Sequence, residues 1–248
     1  MALGTRIEWT DATWNPVSGC TKVSRGCDNC YAERFSERFR GVRGHPFEHG
    51  FDLVLRPHKL SEPLSWRTPR RVFVNSMSDL FQKEVPKAFI DSVFATMEQA
   101  DWHVFQILTK RSSLLRNYVN ERYSTRPAPP HIWVGVSIED RRALTRLTHL
   151  KQTQARVRFI SFEPLLQAIE QVDLTGIHWV IAGGESGPGA RPVMAEWVRS
   201  IRDQCRSQKV AFFFKQWGGK TSKAGGNRLD GRPWLQYPRI PDLAAATA

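Results

Sequence analysis

Three of the four cysteines in this 248-residue chain stand within eleven residues, in GCTKVSRGCDNCY at 19–31. Cys20, Cys27 and Cys30 are spaced C-x6-C-x2-C. Thiolates are soft ligands that suit iron–sulfur clusters and zinc. Three of them on a glycine-containing loop can each bind one iron of a cubane, and the fourth iron is then open to an exogenous ligand. Such a site can coordinate and reductively split S-adenosylmethionine. Zinc would need a fourth protein ligand, from His45, His49 or a more distant residue. The spacing leaves both metals open. Cys205 ends an apolar helical stripe and reads as a core thiol. Four cysteines are too few for a disulfide framework, and their crowding points to metal or redox chemistry in a reducing compartment.

A second set of reactive groups follows six short β-branched or aromatic runs at 71–75, 104–108, 132–136, 157–161, 178–182 and 210–214. Asn75, Ser76 and Asp79 come after the first, Lys110 and Arg111 after the second, Glu139 after the third, and Glu163 after the fourth. Glu185 and Ser186 lie in the GGESG turn at 183–187, and Lys215 precedes Gln216 and Trp217. Lys110, Glu139, Glu163 and Lys215 are the catalytic candidates. The lysines can neutralise anionic groups; the carboxylates can bind a ribose or relay protons. Asn75, Ser76, Asp79, Glu185 and Ser186 are the cofactor-binding candidates. The glycine-rich turn matches neither a P-loop nor a dinucleotide fingerprint, so it argues for a tight turn or a close ligand approach. Some of these groups have plainer uses. Ser112 can cap a helix, and Glu139 can be first-turn charge.

The elements that position these groups are legible in outline. Each run has the length of a buried strand, and 51–55 is a further candidate. Between them, Pro86 can open a helix that buries Phe89, Ile90, Val93 and Met97. Ser112 or Ser113 can cap one that buries Leu114, Leu115, Tyr118 and Val119. A third, over 139–150, aligns Ala143, Leu144, Leu147 and Leu150. A fourth from Pro192 turns Met194, Trp197, Val198, Ile201 and Cys205 inward. Strands alternating with helices predict an α/β fold with parallel strands. Six to eight of them suggest a (βα) barrel, full or partial, in which strand ends share one face. A doubly wound sheet is the alternative. The reading is a single domain over 1–248, with the cysteine loop inside an N-terminal segment at 1–50. The tail at 218–248 is expected to be irregular, packed over one end of the barrel, with a few disordered residues at its AAATA end.

The chain is 41% hydrophobic and 24% charged, an ordinary globular balance. Its apolar runs are too short to span a membrane, and its first eight residues lack a signal-peptide core, so a cytoplasmic protein is expected. The formal charge is +12, and 26 of the 36 basic residues are arginine. That surplus favours a polyanionic partner, nucleic acid or a nucleotide. Basic clusters at Arg34, Arg38, Arg40 and Arg43, at Arg67, Arg70 and Arg71, and at Arg141, Arg142 and Arg146 could track phosphates or be solvated faces. Of nine tryptophans, Trp9, Trp14, Trp217 and Trp234 stand in loop-like contexts where they could stack on a base, although packing is the commoner role.

IEWTDATWNP at 7–16, the cysteine loop, VNSMSDLF at 74–81, GGESG, FKQW at 214–217 and LDGR at 229–232 together resemble a phage-associated and bacterial family with a three-cysteine motif and no established reaction. The resemblance spans nearly the whole chain. That family is similar to the radical S-adenosylmethionine superfamily in having a cysteine loop early in a βα barrel. It thereby implies a [4Fe-4S] cluster on Cys20, Cys27 and Cys30, S-adenosylmethionine as cosubstrate, release of a 5′-deoxyadenosyl radical, and an electron donor such as flavodoxin or ferredoxin. The superfamily's usual spacing is C-x3-C-x2-C, and its Gly-Gly-Glu lies on an early strand rather than a late one, so its cosubstrate contacts do not map by position. The alternative from a different class is a zinc-stabilised, non-catalytic nucleic-acid-binding protein.

Overall fold

A computed structural model describes residues 5–221 and 223–240. Seven strands form one all-parallel sheet in chain order. They are β1 (Ala12–Trp14), β2 (Arg71–Val74), β3 (Val104–Thr109), β4 (Ala128–Ser137), β5 (Ala155–Phe162), β6 (Trp179–Gly183) and β7 (Ala211–Gln216). Helices α2 (Lys87–Gln99), α3 (Ser112–Arg122), α4 (Thr145–Lys151) and α5 (Ala195–Ser207) occupy four of the crossovers. The long connection from β1 to β2 carries the cysteine loop and α1 (Tyr31–Glu37).

Residue parity assigns two cores to the two faces of this sheet. Val72, Phe105, Val134, Ile160, Val180 and Phe212 face the helices in one buried cluster. Phe73, Val104, Trp133, Phe159, Trp179 and Phe213 meet Trp9 in another, on the opposite face. That second cluster requires curvature. Trp9 precedes the edge strand β1, and Trp179 lies on β6, five strand spacings or ~24 Å away in a flat sheet. Their ring centroids are 6.0 Å apart. The sheet is therefore a curled half-barrel filled by aromatic rings.

The tail lies across the open side. Phe214 N–H donates to Trp234 O at 2.7 Å and Gln236 N–H to Phe212 O at 3.1 Å, which covers the edge of β7. Tyr237 packs on Trp179 and Phe213, and its hydroxyl donates to Glu8 O at 3.3 Å. Covering a strand edge removes a template for aggregation. The tail is expected over one end of the barrel; residues 234–237 instead run along the edge of β7, and the expected disorder at the AAATA end lies outside the described residues.

Several expectations need correction. The run at 51–55 yields only Val54–Leu55, paired antiparallel with Val17–Ser18 outside the main sheet. The true extra strand is β1, tied to β2 by Asp11, whose carboxylate accepts from Arg71 N–H at 2.8 Å. The helix expected from Pro86 is borne out: Pro86 is the cap residue of α2, its fixed φ suiting the entry turn. Leu114 and Met194 are exposed, 43% and 44%. Leu114 sits on the solvent side of α3, and Met194 is the cap of α5, so it precedes the buried stripe. The third expected helix starts later, as a 3-10 turn (Arg141–Ala143) followed by α4. Among the described residues no helix is long and apolar enough to cross a membrane.

Candidate functional site

Along the inner face, side chains shrink or become polar towards the strand ends. On β4 the inward series is Trp133, Gly135, Ser137; on β5 it is Val157, Phe159, Ser161; on β6 it is Trp179, Ile181, Gly183. Gly135 has to be glycine, because an added Cβ would lie 2.5 Å from the Phe159 ring. Aromatic rings thus plug the lower barrel, and the small residues above them leave a cavity of about 490 Å³. That volume is in the range of small-molecule sites, and the carboxyl ends of parallel strands are where such sites form.

The cysteine loop lies across the mouth of this cavity. Cys20, Cys27 and Cys30 all line it, as do Asn75, Ser76, Asp79, Lys110, Glu163, Glu185, Ser186 and Lys215. Eleven of the twelve residues singled out from the sequence are thereby brought together. Glu139 is the exception and corrects the reading. It is 1% exposed and turns away to Arg146, which donates to it at 2.7 Å. Burial would raise its pKa, but Ser24, Arg146 and Lys110 beside it outweigh that and hold the carboxyl low.

Two further carboxylates are saturated by protein donors. Asp79 accepts from Thr109 Oγ1 at 2.6 Å, Phe81 N–H at 3.0 Å, Lys110 N–H at 3.1 Å and Arg111 Nη1 at 3.0 Å. Arg111 then reaches the loop, donating to Cys20 Sγ at 3.3 Å and to Thr21 O and Oγ1 at 2.9 Å each. Glu185 accepts from Asn29 Nδ2 and from the Arg191 amide and Nε at 2.9 Å each, and from Arg191 Nη2 at 2.6 Å. Burial would raise its pKa, and the contacts with Arg191 and Asn29 reverse that. Arg191 and Asn29 escaped the candidate set, and Arg111 counts there only as a strand-end group; the loop partners of Arg111 and Arg191, and Glu185 for Asn29, are 90 or more residues away, and only the fold joins them.

The remaining groups face the cavity with capacity to spare. Glu163 and Lys215 pair across Gly183 from the ends of β5 and β7. Lys110 makes no ion pair among the described residues, and its charge counters the burial that raises the Cys30 pKa, as do the amides of Ala32 and Glu33. Asn75 has a left-handed backbone, φ 60°, a strained conformation of a kind concentrated at functional sites. Its Oδ1 accepts from Val17 N–H at 3.3 Å, which leaves Nδ2 buried without a partner, and Ser161 Oγ shares that condition. The Tyr31 hydroxyl donates to Ser76 O.

The loop supplies three thiols, a donor type that suits both iron–sulfur clusters and zinc. Among the described residues no three His, Cys, Asp or Glu side chains converge closely enough for one metal ion. Burial and the Asp79 charge push the Cys20 thiol up to about 11, partly offset by Arg111, so loading a metal there releases a proton. His45 stacks on Phe39 and accepts from Phe47 N–H, and neither it nor His49 lines the cavity. Cys205 is fully buried on α5.

Arg40 is held by Glu37 and Asp52, Arg71 by Asp11, and Arg146 by Glu139, so the basic clusters are partly neutralised. Trp9, Trp14 and Trp234 are buried, and Trp217 donates to Arg228 O at 2.9 Å. Packing claims these tryptophans rather than open stacking.

No curated protein matches the chain. Among solved structures, a spore photoproduct lyase complexed with dinucleoside spore photoproduct aligns at TM-score 0.43 and 11% identity, over 76% of this chain. The chain spans 58% of that protein's length. A family match runs over residues 4–238, nearly the whole sequence and all the site residues described above. The chain belongs to that family, described as "Protein of unknown function (DUF5131)".

Proposed function

We propose that this protein is an iron–sulfur enzyme of the radical S-adenosylmethionine type acting on nucleic acid or a nucleotide. The observation that carries the proposal is the placement of three thiols on the mouth of a cavity at the strand ends of a parallel half-barrel. Cys20, Cys27 and Cys30 would hold a [4Fe-4S] cluster, which when bound supplies one-electron reductive cleavage of S-adenosylmethionine.

The chain's own residues bind, orient and exclude water. Lys110 offers a cation to a carboxylate or phosphate. Asn75 Nδ2 and Ser161 Oγ supply hydrogen bonds at the cavity wall. Glu163 and Lys215, paired between two strand ends, present a carboxylate and an ammonium to a bound substrate. The aromatic layer around Trp9, Phe159 and Trp179 keeps water from the lower barrel. The net charge of +12 supports a polyanionic substrate. The intermediate exposure of all three cysteines supports electron delivery by a protein such as flavodoxin or ferredoxin.

Anaerobic reconstitution with iron and sulfide, followed by metal analysis, tests this. About four irons per chain, lost on Cys→Ser substitution at position 20, 27 or 30 and retained in Cys205→Ser, is expected. One zinc and no iron would overturn the proposal and restore a zinc-stabilised nucleic-acid binder.

A further inference from the structure

We infer that Asp79 and Glu185 are positioning residues: with Arg111 and Arg191 they form two separate clamps that fix the two ends of the cysteine loop. The inference rests on the proposed function only for what the loop carries. Both carboxylates stand at strand ends facing the cavity, where a ligand's ammonium or hydroxyl groups would be the expected partners. Their capacity is already used. A carboxylate offers about four acceptor sites, and each of these two receives four donors from the protein.

What the donors do next gives the role. At the Cys20 end, Arg111 passes from Asp79 to Cys20 Sγ and to both oxygens of Thr21. Both members of this pair are under 10% exposed. At the other end, Arg191 passes from Glu185 to Asp28 Oδ2 at 3.0 Å and Arg25 O at 2.8 Å. Asn29, also on Glu185, donates to Gly189 O at 3.1 Å. Every residue so gripped flanks Cys27 or Cys30. The stretch between, 22–24, receives no contact from either clamp. A guanidinium bound to a buried carboxylate is rigid and bidentate in a way a lysine is not, which suits it to hold a ligand loop in one geometry.

Because the clamps are independent, each should fail alone. Amide hydrogen exchange on the full-length apo chain reads this directly, through Gly19 and Cys20 at one end and Cys27 and Asp28 at the other, all four of which donate backbone hydrogen bonds. In Glu185→Ala, exchange at Cys27 and Asp28 is expected to rise at least tenfold, with Gly19 and Cys20 within twofold of wild type. Arg111→Met is expected to give the reverse pattern. Asn29→Ala removes one loop contact of the second clamp, together with the Asn29 bonds to Gly189 and Arg34, and leaves the Glu185–Arg191 pair and the Arg191 bonds to Asp28 and Arg25 in place; it decides the matter if Glu185→Ala does not fold, and should show the same polarity at a smaller, several-fold size. Equal acceleration at both ends, or none at either, would overturn the inference. So would a Glu185→Gln protein with wild-type exchange that binds its cluster but no longer responds to S-adenosylmethionine by EPR, since Glu185 would then be a ligand. A wild-type chain that takes up no iron defeats the proposed function, and the exchange pattern still decides the clamps.

Discussion

Gly184 is where the turn that carries Glu185 touches the loop after β7, and replacing it by alanine should be among the most damaging single-methyl additions in the molecule. A Cβ there would lie 2.0 Å from Trp217 O and 2.8 Å from both Trp217 C and Val193 Cγ1, against an ordinary contact of about 3.5–4.0 Å. Two of those three atoms are backbone, so no rotamer change relieves the clash. The loops must part by an ångström or more. That breaks the hydrogen bonds from Gly184 N–H to Gln216 O and from Gly219 N–H to Glu185 O, each 2.9 Å. Two such bonds are worth about 1 kcal/mol each, and overpacking adds about 1–3 kcal/mol. The sum is about 3–5 kcal/mol, a third or more of the stability of many domains. Gly231 provides the contrast. It has φ +77° and nothing within 4 Å of its added Cβ, so alanine there should cost only the left-handed strain, about 1–2 kcal/mol. Urea unfolding followed by tryptophan fluorescence measures both. If Gly184→Ala were no more destabilising than Gly231→Ala, the close approach of the two loops would not exist as described.

Other consequences follow from buried groups and charge. Burial raises the Cys205 thiol from 9.0 to about 12, so its contribution of ~4 kcal/mol is fully present below pH 9 and is lost as pH climbs from 9 towards 12. Unfolding free energies should therefore fall more steeply above pH 9 in wild type than in Cys205→Ala; parallel curves would contradict this. Arg146→Met leaves Glu139 buried without its cation and should cost about 3–5 kcal/mol by chemical denaturation, with a loss under 1 kcal/mol counting against the pair. Because the Glu139 pKa is lowered, its stabilisation is present at neutral pH and is lost as pH falls through the folded value, so Glu139→Gln should flatten the acid limb of the stability curve. Single-stranded DNA binding, measured by fluorescence anisotropy, should weaken about sevenfold or more between 50 and 200 mM salt if two or more phosphates are neutralised; a salt-independent affinity would argue against a phosphate-tracking surface.

The sequence made most of the scaffold readable because its inner and outer faces both need apolar residues, so six strands stand out as continuous runs. Position pointed to the cavity: Asn75, Lys110, Glu163, Glu185 and Lys215 stand at or just after the ends of the runs, and all line it. β1 escaped because three residues, Ala12–Trp14, carry no periodicity and owe their pairing to a partner some 60 positions away. The cysteine loop was legible from spacing alone. Its clamps were not, since Arg111 and Cys20 are 91 residues apart, and Asn29 and Glu185 are 156 apart. Local pattern has no access to such pairs. Glu139 shows the complementary failure: it has the right parity and position, but Arg146, seven residues on, draws it out of the cavity.

The proposed chemistry stands or falls on whether one iron of a cluster is open to a ligand. The most direct measurement is the EPR spectrum of the anaerobically reconstituted, dithionite-reduced protein, recorded with and without S-adenosylmethionine. A reduced [4Fe-4S] signal whose g-values shift on adding the cosubstrate is the expected result. A cluster signal that S-adenosylmethionine leaves unchanged, or a protein with no cluster at all, would contradict the account.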